Sequence, residues 1–313
     1  MHKRMLGILA CPECGGRLEA RGEWQGDRLQ TGELTCPQGR CFPVLGGIPR
    51  FVPHDDYAAS FSLQWTIHRA TQLDGDIPGE SEATFWQKTR FGRADLAGKL
   101  VLDAGCGMGR FAQVAARHLA EVVGIDLSLA VESAAANLEK EPRAHWAQAD
   151  LTRPPFAPGT FDLIYSIGVL HHTPDTRAAF MSLVPLLRPG GRISIWVYSA
   201  YPQIVNLTSR FWRRLTTRLP KRLLYALCQA AGPMYYIHRI PWLGKAFIHL
   251  VPMSSHPRWQ WRVLDTFDWY SPRYQWKHRY PEVVGWFREA GLEQVEIAEP
   301  EITVTGVRPG GSP

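Results

Sequence analysis

Over its middle third the chain alternates short apolar runs with stretches of helical period. Lys99 to Asp103 is an apolar run ending in an acid, and Phe111, Val114, Ala115, His118 and Leu119 follow at helical spacing. Three glycines (Gly105, Gly107 and Gly109) separate them, so the pattern predicts strand, tight turn, helix. Further strands are predicted at Val122–Asp126, at Ala147–Asp150, at Phe161–Ser166 and in the turn-and-strand Leu187–Ile195. Late in the chain, Pro281–Ala290 reads as a helix stopped by Gly291, with closing strands at Glu293–Ala298 and Glu301–Val307. Near the start, Leu29–Cys36 reads as a strand and Phe42–Phe51 closes that unit, while a helix begins at Ser81. Strands alternating with helices predict an α/β fold around a parallel sheet.

Between residues 201 and 280 the alternation stops. Ile204, Leu207, Phe211, Leu215 and Leu219 recur at helical spacing, with Arg210 and Arg213 on the opposite face, Arg214 and Arg218 flanking, and Pro220 ending the helix. From Tyr201 to Arg262 there are ten Lys or Arg, no Asp or Glu, and ten Phe, Trp or Tyr. The chain carries +6 in all, so the remainder is about −4 (6 − 10). A basic amphipathic helix followed by aromatic segments predicts a lid that meets an anionic partner, either a membrane surface or a nucleic acid. The alternative is a helical cap whose basic face is only solvated.

The remaining composition narrows the class. At 313 residues, 45% hydrophobic and 20% charged, the chain is long enough for a large core with additions. No uncharged apolar run reaches the ~18 residues of a membrane span, and no secretory leader precedes Cys11, so the expected location is the cytoplasm, with peripheral contact at the membrane. Four of the six cysteines pair as Cys11-x2-Cys14 and Cys36-x4-Cys41, each pair on a tight turn. In a reducing compartment such pairs suit a structural zinc ion better than disulfides. So small a module gains much of its stability from the metal. Cys106, inside the glycine turn, reads as a space-filler.

Asp103-x-Gly-x-Gly-x-Gly109 does not fit the dinucleotide spacing, because its third glycine comes after one residue and Arg110 stands where that pattern has glycine. It resembles motif I of class I S-adenosylmethionine (SAM) methyltransferases, and the strands that follow fall where that family has them, from about residue 95 to 200. The resemblance implies a Rossmann-like, seven-stranded, mostly parallel sheet with a terminal antiparallel hairpin. Ile8-Leu-Ala-Cys-Pro-Glu-Cys14 and Phe42-Pro-Val-Leu-Gly-Gly-Ile-Pro49 resemble the small zinc-ribbon proteins that activate RNA and protein methyltransferases. A zinc ribbon also precedes the core in large-subunit rRNA guanine methyltransferases, where a histidine follows the third cysteine; this chain has Cys41. The implied organisation is a ribbon at 1–53, a pre-core segment at 54–98, a SAM-binding core at 99–200, a basic aromatic lid at 201–280, and the last helix and hairpin at 281–313.

The resemblance assigns roles residue by residue. Asp126 would accept the ribose hydroxyls, with Leu127 after it; Asp150 and Leu151 would lie by the adenine; Gly105 and Gly107 would allow close approach; Asp103 would fix the turn and meet the amino-acid tail. Gln72 and Asp74 either point into the pocket or lie on the surface. Val169-Leu-His-His-Thr-Pro-Asp175 resembles small-molecule methyltransferases, including those of quinone biosynthesis. It makes His171 or His172 the candidate base, since imidazole titrates near neutrality. Asp265–Tyr274 resembles a segment of methyltransferases from cell-surface glycan clusters, which makes Asp268, Tyr270 and Tyr274 candidate substrate contacts. Ser166–Val169 stands where methyltransferases of base amino groups carry Asn/Asp-Pro-Pro-Tyr/Phe, which argues against amino-N methylation of adenine. The expectation is therefore O-methylation of a small or lipid-linked molecule. An RNA methyltransferase gripping phosphates with ribbon and lid is the alternative, and a non-catalytic SAM-binding partner protein the third reading.

Overall fold

A computed structural model describes residues 1–52, 59–74, 79–201, 203–298 and 302–310. The expected boundary at residue 53 and the start of the closing strand at Glu301 lie outside the described residues.

The N-terminal unit is a short helix α1 (Lys3–Ile8) and four antiparallel strands in order β1 (Glu19–Gln25), β2 (Arg28–Thr35), β3 (Cys41–Leu45), β4 (Ile48–Pro49). Its small core is Leu18, Leu29, Leu34 and Val44, all essentially fully buried. Two hydrogen-bonded turns, closed by Gly15 N–H on Cys11 O and Gly39 N–H on Cys36 O, bring the first three cysteines together.

The chain then forms α2 (Ala59–Ile67) and α3 (Glu80–Thr89) before entering the main sheet. There β5 (Leu100–Ala104), α4 (Arg110–Arg117), β6 (Glu121–Asp126), α5 (Ala130–Asn137), β7 (Ala144–Gln148), β8 (Phe161–Ile167), α6 (Thr176–Leu183) and β9 (Leu187–Val197) alternate as the pattern predicts. The third strand runs earlier than expected, at Ala144–Gln148, so Asp150 falls in the turn beyond it. Five helices follow: α7 (Gln203–Thr216), α8 (Lys221–Cys228), α9 (Ala231–His238), α10 (Pro241–Leu250) and α11 (Trp259–Tyr270). Last come α12 (Tyr280–Glu289), β10 (Glu293–Ala298) and β11 (Ile302–Val307).

The seven-stranded sheet has the order β10-β11-β9-β8-β5-β6-β7. Strands β5 to β9 are parallel and β11 is antiparallel to both its neighbours. The parallel strands are buried almost throughout, as a sheet covered by helices on both faces requires. From β5 the order runs outward through β6 to one side and through β8 to the other. A crevice therefore opens at the carboxyl ends of β5 and β8, where ligands bind in open α/β sheets.

The two units form one continuous structure. Phe51 N–H bonds Gln148 O, and Arg50 pairs in parallel with Gln148 along the free edge of β7. The Arg50 guanidinium, 6% exposed, donates to Gln148 Oε1 at 3.1 Å and meets Glu132 at 2.8 Å. On the other side of the module, Ala10 N–H bonds Pro155 O and Glu13 pairs with Arg153.

Candidate active site

A cleft of about 820 Å³ opens over the carboxyl ends of the parallel strands. Its floor is the glycine turn between β5 and α4. Gly105 has φ +88°, and a side chain there would run into Val169; Gly107 has φ +50°, with the Trp65 indole 3.4 Å from where a Cβ would sit. Asp126, at the end of β6, holds this turn. Its Oδ2 accepts the Gly107 N–H at 3.0 Å, and its Oδ1 accepts the Ser128 N–H at 2.8 Å and hydroxyl at 2.6 Å. With two donors on Oδ1 and one on Oδ2, Oδ2 keeps an acceptor site free. Burial raises the Asp126 carboxyl, and these three donors pull against it. Leu127, Leu151 and Ile167 complete this end of the cleft.

Two residues expected at this end sit elsewhere. Asp103 lies beneath the turn, 2% exposed, with Oδ2 lacking a hydrogen-bond partner; burial pushes its carboxyl up to about 7. Asp150 stands just outside the cleft wall, its carboxylate accepting the Thr152 N–H at 2.8 Å. Gln72 lines the cleft, whereas Asp74 caps α3 by accepting the N–H groups of Ser81 and Glu82.

The other end of the cleft is built from three distant stretches. After β8 a short turn carries His171 and His172. His172 Nδ1 lies 2.9 Å from the Tyr274 carbonyl, which can only accept, so the proton is on Nδ1. Nε2 is then the basic nitrogen; it faces Asp268 Oδ2 at 4.0 Å and has no hydrogen-bond partner. Burial lowers the His172 pKa, and Asp268 raises it in opposition. Asp268, on α11, is held by the Tyr198 hydroxyl at 3.0 Å and the Gln64 amide at 3.3 Å. Burial and the nearby Asp268 charge push the Tyr198 phenol well up, so it remains a donor.

His171 does not reach the cleft. It is fully buried, stacks on Tyr198 at 3.8 Å, and accepts the Tyr198 N–H on Nδ1 at 3.4 Å. Of the other candidates, Tyr270 donates its hydroxyl to Pro252 O at 2.6 Å and serves packing. Tyr274 contributes the backbone carbonyl that sets the His172 tautomer. Cys106 is buried within the turn, as a space-filler would be.

Several cleft residues escaped sequence reasoning. Lys88 lies over the Trp196 ring at 4.3 Å, and burial lowers its amine to about 8. Burial, with the Arg213 charge, lowers Lys277 to about 8 as well. Asp265 is raised to about 7 by burial, and Arg110, stacked at 5.0 Å on Trp261, counters that shift. Trp196 and Tyr198 had a usable signal: they alternate at the carboxyl end of a predicted strand, where cleft residues belong. Lys88 and Lys277 had none, because surface lysines look the same in sequence.

Cys11, Cys14 and Cys36 place their Sγ atoms within 4.8 Å of one another. Cys41 stays apart from this group. It is exposed, with its thiol 3.6 Å from the Thr35 hydroxyl and 3.8 Å from the Gly39 carbonyl. The x4 loop is one source of the difference, since it carries Cys41 past its turn to the head of β3.

Comparison with known proteins agrees with this geometry. Residues 102–195 match the family described as methyltransferase domain, and residues 2–47 match the Trm112p-like proteins. The chain carries a methyltransferase domain behind a Trm112p-like module. A ubiquinone biosynthesis O-methyltransferase from Marinobacter nauticus is 30% identical over 176 residues, 53% of this chain and 64% of that protein. Its counterpart from Pseudomonas paraeruginosa is 32% identical over 114 residues, 36% of this chain and 49% of that protein. The chain thus spans about half to just under two thirds of these curated relatives. An O-methyltransferase family protein from Burkholderia thailandensis aligns with a TM-score of 0.50 at 15% identity, over 82% of this chain and 61% of that one, and has the same fold.

Proposed function

We propose that the chain is a SAM-dependent O-methyltransferase acting on a small or lipid-linked hydroxyl acceptor. One observation carries the reading: His172, whose Nε2 is basic and lacks a hydrogen-bond partner, is among the residues lining the cleft whose floor is the glycine turn. The residues at the turn fit SAM. Gly105 and Gly107 would admit a ligand against the backbone, Asp126 Oδ2 keeps an acceptor site for a ribose hydroxyl, and Leu127 and Leu151 would flank a flat base. Bound there, SAM supplies a methyl already activated on a sulfonium.

The chain's own residues then have two tasks, alignment and proton removal. His172 Nε2 takes the proton of the acceptor hydroxyl. Asp268 faces the imidazolium that forms, and Tyr198 and Gln64 keep Asp268 in place. Lys88 and Lys277 add positive charge to the acceptor end, which suits an acceptor bearing an anionic group. The resemblance of the core to the quinone O-methyltransferases supports the hydroxyl as acceptor. In the module, the three clustered thiols suit zinc, with a fourth ligand from elsewhere or from a rearranged Cys41.

The test is transfer of labelled methyl from SAM into a fractionated host extract, with His172→Gln in parallel. Label in the lipid or small-molecule fraction, absent with His172→Gln, is the expected result. Label in RNA, or unchanged transfer by His172→Gln, overturns the reading.

A further inference from the structure

The five-helix insertion is turned inside out at α7. The face that packs against the rest of the protein is largely polar, with Trp212 as its apolar contact to the cluster around Leu224 and Val263. Ser209 is buried in the cleft wall, Arg213 donates to the carbonyls of Trp269 and Pro272, and the Thr216 hydroxyl donates to Tyr270 O. Leu207, Phe211 and Leu215 lie on the opposite side, one above another at the i, i+4, i+8 spacing, and are 70%, 59% and 52% exposed. Exposed Arg210 and Arg214 sit one position before Phe211 and Leu215, about 100° around the helix, so the cations flank the apolar stripe.

The neighbouring helices repeat the arrangement. α11 packs against α7, α8 and α9 and gathers their inward side chains, among them Leu224 and Cys228 with Val263 and Phe267. Leu227 on α8, Tyr236 on α9 and Trp242 on α10 are instead exposed, Trp242 by 77%. Nine of the sixteen exposed large apolar side chains among the described residues fall within 207–250, so the patch belongs to this insertion and not to the surface at large. The same segment has no acidic residue, and Arg218, Arg222 and Arg239 are exposed along with Arg210 and Arg214.

We infer that the outer face of α7–α10 is a docking surface for an anionic lipid bilayer, with the apolar stripe entering the headgroup boundary and the flanking arginines meeting lipid phosphates. Charge and apolarity together select this occupant. A second copy of the same face would set arginines against arginines. A nucleic acid would neutralise the arginines and leave Leu207, Phe211 and Trp242 in water. An anionic bilayer offers both complements. The inference rests on the reading of a lipid-linked acceptor and extends it. The insertion supplies Ser209, Pro252, Trp261 and Asp268 to the cleft wall, so docking would hold the acceptor end of the cleft at the interface from which the acceptor is drawn.

The experiment is flotation of the full chain with vesicles of phosphatidylcholine alone or of phosphatidylcholine with phosphatidylglycerol, alongside calorimetry of SAM binding. The expected result is binding to the anionic vesicles only, weakened by salt. In Phe211→Ser/Leu215→Ser/Trp242→Ser and in Arg214→Gln/Arg218→Gln, affinity should fall about tenfold or more. These side chains are exposed, so thermal unfolding and SAM affinity should stay at wild-type values in both variants. Absence of anionic-vesicle binding, or equal binding by the variants, overturns the surface. Self-association abolished by the same substitutions, or RNA binding in place of vesicle binding, overturns it too. SAM binding is read separately, so failure of the surface with intact SAM binding leaves the catalytic reading standing, and loss of SAM binding in the wild-type chain refutes that reading on its own.

Discussion

Burial keeps both histidines after β8 neutral near pH 7, but their surroundings divide their roles. Tyr274 O fixes the proton of His172 on Nδ1 and leaves Nε2, opposite Asp268, as the basic nitrogen; His171 is enclosed by Tyr198 and His172. His172→Gln is expected to lower kcat about 10²–10⁴-fold while leaving SAM affinity near its original value, as steady-state kinetics and calorimetry would record. The active form is neutral, and its pKa is depressed below the usual 6.5. The rate should therefore stay level as pH falls to 6.5 and decline only in more acid solution, a shape that a pH–rate profile would test. Asp126→Ala removes acceptors for two backbone N–H groups as well as for the ligand, and should weaken SAM binding by about 2–3 kcal/mol in calorimetry. At this scale the sequence named the residue types well, because an acid ending a strand and a histidine pair after one are local signals. It did not separate His171 from His172, a distinction that depends on a carbonyl 102 positions away.

Among the elements, the turn from β5 to α4 is the most constrained. Gly105→Ala would place a methyl against Val169 at a backbone angle that L-residues avoid, and should cost about 1–3 kcal/mol in denaturant unfolding. The strand-and-helix alternation of the core was legible because buried parallel strands and helix periods are local patterns. Only the third strand shifted, by a few residues at its ends. The insertion was half legible. Its helical period and its charge predicted a basic amphipathic helix. The period could not say which face packs, and Arg213, placed with the exposed cations by spacing, is instead tied to the carbonyls of α11 and the turn after it. Longer-range partners decided that, as they decided how α2 is fixed: Gln64 reaches Asp268, and His68 accepts from or donates to Tyr225 at 2.9 Å.

For the molecule as a whole, the module and the core share backbone hydrogen bonds, so a metal bound by Cys11, Cys14 and Cys36 stabilises more than its own turns. Chelation of zinc from the native protein should release one ion per chain and lower the unfolding temperature, with calorimetry and metal analysis run on the same sample. An unchanged unfolding temperature after loss of the metal would confine its effect to the turns. The paired cysteines made the module readable from sequence. Its docking was not readable, since nothing local to Arg50 or Phe51 points to Gln148.

That docking also bears on how the protein stays dispersed. β7 reads Ala-His-Trp-Ala-Gln, is buried along its whole length, and ends the seven-stranded sheet. A bare strand of this kind, with unsatisfied amides and flat apolar neighbours, is a template for another chain to pair with. Arg50 and Phe51 occupy its free edge near Gln148, and the Arg50 guanidinium places a charge beside it. The module thus acts as a guard against edge-to-edge aggregation, and a core cut free of it would expose its own most adhesive strand.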